Sequence, residues 1–111
     1  MNKILKAVPF YLGCNTSKGW FIGFYNEIIV VEDNELKKYY SLTNLGKEIF
    51  LYLRELKDLK DEESKILIDK GLAIGRPYGY TFTNFAFLYL IELHVDIFGF
   101  IKEGFALNKI N

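Results

Sequence analysis

The chain has 111 residues, half of them hydrophobic and 17% aromatic, and its 14 basic side chains are balanced by 14 acidic ones. That length suits one α+β domain spanning 1–111, and that composition excludes a disordered chain. Formal neutrality argues against a strong nonspecific nucleic-acid binder, which carries a basic excess, and suits association with another protein or with a second copy.

Residues 4–12 read as a short apolar strand or an irregular packing segment. The start, MNKILKAVPFYLGC, resembles a bacterial lipoprotein signal in its small residue before a cysteine. Pro9 interrupts the apolar run, however, and Tyr11 fits a cleavage region poorly, so Cys14 reads as an ordinary thiol. As the single cysteine it cannot close an intramolecular disulfide, which favours a cytoplasmic setting. CNTSKG is a loop. The next stretch, WFIGFYNEIIVVEDNELKKYYSL, is rich in aromatic and β-branched residues and divides at Asn26-Glu27 and at Asp33-Asn34. It predicts an antiparallel meander with strands over 19–25, 28–32 and 35–42. Gly23 within the first strand points to a bulge or a close backbone approach.

A strand end, a Thr-Asn pair and an apolar helix candidate then occur twice, first over Tyr39–Leu56 and again from Tyr80. In the first copy Thr43 or Asn44 is placed to cap a helix, and Leu45, Ile49, Tyr52, Leu53 and Leu56 fall on one side at helical spacing. A charged break near Asp58 to Asp61 leads to a short second helix with Leu59, Ile66 and Leu67 inward and Gly71 as its C-terminal cap. GLAIGRPYGYTFT predicts a hairpin over 72–75 and 79–83. The last major segment, NFAFLYLIELHVDIFGFI, reads as a helix that is apolar nearly all round, although residues 92–97 also alternate as a strand does. Glu92, His94 and Asp96 sit too near its middle for a membrane span. The tail from about 104 packs loosely in this reading. The fold class is α+β: a small antiparallel meander covered by two central helices, then a β-hairpin and an apolar C-terminal helix.

Chemistry-bearing motifs are few. There is no glycine-rich phosphate loop, no HExxH, no GxSxG and no cysteine cluster, so the expectation is a nonenzymatic chain without cofactor or metal. On a strand, Glu92, His94 and Asp96 would share one face and could hold a divalent cation, but no second histidine or spaced cysteine reinforces that set. The leading expectation is a protein-interaction module, regulatory or inhibitory. Tyr39, Tyr40, Arg76, Tyr78 and Tyr80 are its contact residues, because they combine flat apolar area with polar ends. The acidic run Asp58, Asp61, Glu62 and Glu63 offers a second contact, to a basic partner surface. The partner is another protein, or the chain itself through residues 85–101.

DNA binding is the alternative. Residues 44–83, ending in DKGLAIGRPYGYTFT, resemble the helix-to-wing part of winged-helix regulators. The resemblance implies that Ser64 and Lys65 lie on a helix that reads the major groove, with Arg76 at a wing tip. Glu62 and Glu63 depart from that pattern, since they repel phosphate where the reading helix begins.

Overall fold

The computed structural model describes residues 2–70, 73–75, 79–81 and 83–109. The meander forms where the β-branched and aromatic residues lie: β2 is Gly19–Tyr25, β3 is Ile28–Asp33 and β4 is Leu36–Ser41, each antiparallel to the next. Asn26 with Glu27, and Asn34 with Glu35, make two-residue turns in which both residues have positive φ. This is the turn geometry that matches strand twist, and asparagine enters it readily.

A short β1, Asn15–Thr16, pairs β2 on one side and β5, Leu51–Leu53, on the other. β8, Ala106–Asn108, joins β5 in parallel. The result is a six-stranded sheet of order β4-β3-β2-β1-β5-β8, alongside a separate hairpin of β6, Ala73–Gly75, and β7, Gly79–Thr81. The fold is α+β as the sequence predicts, with a sheet that contains the meander, two internal helices and a further short helix, Phe100–Glu103, near the C-terminus. The inner face of the meander, however, is covered by Ile4, Val8 and Tyr11 and not by the two central helices the sequence suggests. The internal helices are α2, Asp61–Asp69, and α3, Asn84–Glu92.

Several local expectations are corrected. Residues 4–12 are not a strand: helix α1, Asn2–Ala7, runs into a 3-10 turn, Val8–Tyr11. The helix expected over 44–57 is absent. A 3-10 turn, Leu42–Asn44, is followed by β5 and by a second 3-10 turn, Leu56–Asp58. The physical reason is that β1 and β8 offer Leu51–Leu53 ladder partners on both sides. Gly46 supplies the turn before that strand at φ +85, where a Cβ would lie 2.8 Å from the Gly104 carbonyl oxygen. The N-cap role expected of Thr43 or Asn44 belongs to Ser41 in this turn. In the second copy Thr83 does cap α3, accepting from the Ala86 N–H at 3.2 Å.

α3 ends at Glu92 instead of continuing to 101, and a separate turn of helix, α4 (Phe100–Glu103), follows. Leu67 is buried and Leu59 half-buried as expected, but Ile66 faces outward at 43% exposure. The cap expected at Gly71 lies outside the described residues. The segment after Gly104 does not lie loose, since β8 closes one edge of the sheet and buries Ala106.

The main core lies on one side of the sheet. Phe21, Ile29, Val31, Leu51 and Leu53 meet Ile4, Ala7, Val8, Tyr11 and Phe100 there. Large apolar side chains buried in this way contribute about 1.5–3 kcal/mol each before entropy is subtracted. Tyr11 also donates from its hydroxyl to the Val95 carbonyl at 2.8 Å and accepts from the Ile97 N–H at 3.1 Å, which ties the N-terminal layer to the segment after α3. A second, smaller cluster of Leu67, Ala86, Leu90 and Val95 holds α2 against α3.

Candidate functional site: the open sheet face and the cleft at its end

A bulge between Phe21 and Gly23 decides which side chains of β2 face the core. In a regular strand, residues three apart point to opposite faces. The extra residue lets Phe21 and Phe24 both turn inward, where their rings meet edge to face at 6.5 Å. Trp20 and Tyr25 consequently both turn outward. Cross-strand pairing carries the same division into the neighbours: Ile29 with Tyr40 lies on the inner face, and Val30 with Tyr39 on the outer. The outer face leaves Trp20 54%, Ile22 43%, Tyr25 56% and Tyr39 58% exposed. Glu32 and Lys37 stand opposite one another on it, so it is close to neutral.

Thr16 pairs Leu51 on the inner side, which sets Asn15 and Tyr52 outward in the next row, beside Trp20. Here the open face runs into a half-open cleft of about 320 Å³ lined by Asn15, Trp20, Tyr52, Arg54, Leu93 and His94, with Glu92 and Lys109 completing it. Lys109 places its ammonium 5.6 Å from the centre of the Tyr52 ring, a favourable cation–π distance. Arg54 gives both terminal nitrogens to Glu63, at 3.0 and 2.7 Å, while its Nε is buried and has no hydrogen-bond partner among the described residues. Hydrogen bonding from Arg54 first, and from the Lys60 N–H second, pulls the Glu63 carboxyl down to about 2.

His94 terminates α3 in an unusual way. Its N–H bonds the Ile91 carbonyl and the Val95 N–H bonds the Leu90 carbonyl, both at 3.0 Å, the pair of bonds with which a helix ends on a left-handed residue. Glycine normally takes that place, and Gly104 does so after α4 with φ +87. His94 holds the same conformation at φ 56 with an imidazole attached. Its carbonyl accepts from the Arg54 N–H at 2.9 Å, so the two cleft residues are locked together through the backbone. Burial lowers the His94 pKa, because desolvation disfavours the charged ring.

The residues singled out in the sequence fall in different places. Tyr39 is on the open face, whereas Tyr40 packs against the main core. Arg76 and Tyr78 lie outside the described residues, as does the side chain of Tyr80, whose backbone pairs Ile74. In the acidic run, Glu63 is taken by Arg54 and Asp58 accepts from the Asn108 side chain at 3.1 Å, leaving Asp61 and Glu62 exposed in the first turn of α2. Ser64 is half-buried and Lys65 exposed on the same helix.

Glu92, His94 and Asp96 do not line one strand. Glu92 ends the helix and His94 makes the turn, while Asp96 accepts from the Phe100 and Ile101 N–H groups at 2.9 and 2.8 Å. Cys14 is buried in the main core, and desolvation pushes its thiol up to about 12, away from the reactive thiolate. Trp20, Tyr52, Arg54 and Lys109 were not grouped by sequence reasoning. Trp20 could have been found from the bulge, which moves it to the face that Tyr39 shares.

Among the described residues no helix is long and apolar enough to cross a membrane. No protein-family model, curated protein or solved structure matches the chain.

Proposed function

We propose that this chain is a nonenzymatic protein-interaction module, regulatory or inhibitory in role, that receives a partner protein on the outer face of its meander. The observation that carries the reading is the set Trp20, Ile22, Tyr25 and Tyr39, large and about half exposed on one side of a sheet whose other side carries the main core. Tryptophan and tyrosine on an open surface supply apolar area with few rotatable bonds and a polar end for hydrogen bonding, the usual make-up of interface hot spots. The face is close to neutral, which suits a protein partner better than a phosphate backbone. A single cysteine kept as a thiol supports a cytoplasmic setting for that role.

The test compares proteins recovered on the wild-type chain with those recovered on a Trp20→Ala, Tyr39→Ala double variant of equal stability. A partner specific to the wild type, rebuilt from purified components, should form a stoichiometric complex that the double variant weakens about thirtyfold or more. Sedimentation of the chain alone reads self-association, including through the exposed Phe85 and Leu88 of α3, and a low-salt duplex-DNA titration reads the alternative of Ser64, Lys65 and Arg76. Identical recovery on both chains, or binding carried by DNA instead, overturns the reading.

A further inference from the structure

Going beyond partner docking and independent of it, we propose that the cleft between Trp20 and Tyr52 is a small-molecule site for a planar aromatic ring bearing one anionic group, a carboxylate or a phosphate monoester.

The walls come first. Trp20 is cross-strand from Asn15, and the β1–β5 register sets Asn15 against Tyr52, so two aromatic side chains flank a short polar one in a single row. Strands two apart in a sheet are separated by about 9.6 Å. A flat ring contacting an aromatic wall on each side needs about 7–8 Å between those walls, so the backbone spacing admits one ring between these two side chains of the cleft. The volume of about 320 Å³ is at the small end of ligand clefts, which suits a single ring with one substituent.

The polar lining then selects the substituent. Trp20, Arg54 and Lys109 can only donate hydrogen bonds, Asn15 and Tyr52 can do so as well, and Glu92 is the one carboxylate among the lining residues. Glu63 occupies the fork of Arg54, so Lys109 carries the charge that a ligand's anion would meet. Arg54 is already neutralised by Glu63, so a cationic ring would meet the Lys109 ammonium beside the Tyr52 ring. The cleft is also held rigidly. The Arg54 backbone is bonded on both sides to the turn, receiving from the Asp96 N–H at 2.8 Å and donating to the His94 carbonyl at 2.9 Å. Retaining an imidazole at a left-handed position, where glycine is unstrained, costs stability of the kind that persists at functional sites.

Trp20 is the single tryptophan of the chain, so its fluorescence reports on this wall alone. The full-length protein is titrated with phenyl phosphate and with 3-phenylpropionate, and in parallel with inorganic phosphate, cyclohexanepropionate and phenethylamine. A ligand of about ten heavy atoms is expected to saturate with a dissociation constant in the range of about 0.1–5 mM. Saturable binding of either aromatic anion, at least about tenfold tighter than every control, supports the site, and the tighter of the two names its anion. Lys109→Gln, an exposed position, should weaken both aromatic anions about fivefold or more with an unchanged circular dichroism spectrum. Tyr52→Leu should abolish the preference for phenylpropionate over its cyclohexane analogue. The proposal is overturned if neither aromatic anion saturates, if phenethylamine, cyclohexanepropionate or inorganic phosphate binds as tightly, or if Lys109→Gln changes nothing. No partner protein enters the assay, so failure here leaves the docking reading standing, and failure of docking leaves this one.

Discussion

The two faces of the meander are built from the same three strands and end in opposite conditions. Inward, Phe21, Ile29 and Val31 are completely buried under Ile4, Val8 and Tyr11; outward, Trp20, Tyr25 and Tyr39 stay more than half exposed. Hydrophobicity alone does not separate them, because both faces are rich in large apolar side chains. They differ in the polar ends. The fully buried part of the inner face takes phenylalanine and branched aliphatics, which bring nothing to satisfy, with Tyr40 half-buried beside them. The outer face of β2 and β4 takes indole and phenol, which need water or a partner at one end. A chain under selection for solubility alone has no need of that second set, and the sorting is what an exposed recognition surface requires.

The sharpest way to break this comparison is to truncate one residue from each face. Phe21→Ala should cost about 3–5 kcal/mol of unfolding free energy through its cavity and lost contacts, measured by denaturant titration, and equal losses for Phe21→Ala and Trp20→Ala would abolish the distinction. Next in size is the layer that covers the inner face. Tyr11→Phe keeps the packing but strands the Val95 carbonyl and the Ile97 N–H, and should cost about 1–3 kcal/mol. The third concerns the wall behind the cleft. Glu63 titrates near 2 in the folded chain, below its ordinary 4.5. A depressed carboxyl adds stability above its unfolded pKa and loses it as the pH falls through the folded one, so stability should decline between those two values. Glu63→Gln should flatten that decline, a difference of about 1–2 kcal/mol after solvent screening is allowed for. Smallest is the outer face itself: Trp20→Ala and Tyr39→Ala should each shift stability by about 0.5 kcal/mol or less, whereas the proposed docking role expects their main effect in partner binding.

The parts of the fold that depend on local pattern were legible. Alternation over β2 to β4, the Asn26-Glu27 turn and the Gly23 irregularity all announced themselves, as did the apolar run that begins α3, while the second turn fell at Asn34-Glu35, one residue beyond the expected Asp33-Asn34. The failure over 44–57 shows why the rest did not. Leu45, Ile49, Leu53 and Leu56 satisfy helical spacing, yet Leu51-Tyr52-Leu53 also alternates, and strand won because β1 and β8 offer ladders from distant sequence. Tyr39 and Tyr40 both read as contacts in the sequence, although strand period lets only one of them face out, and which one depends on register with Ile29 and Val30. The cleft was harder still. Its walls and cations come from β1, β2, β5, the end of α3 and the residue after β8, and nothing in the linear chain marks them as neighbours. His94 stood out as a lone histidine, whereas its left-handed backbone, the feature that distinguishes it, leaves no trace in composition.

The parallel pairing of β5 with β8 has a consequence in time. Hairpins such as β2–β3 and β3–β4 can close within microseconds of collapse, because their partners are adjacent in the chain. Leu51 meets Ala106 only after α2, the separate hairpin, α3 and α4 have all been strung between them, and such distant closure is entropically late. Until it happens β5 is an unprotected edge and the Tyr52 wall lacks Lys109. Refolding should therefore restore the meander's circular dichroism before it restores the mature Trp20 emission, and the interval is the period in which a nascent chain is most open to mispairing.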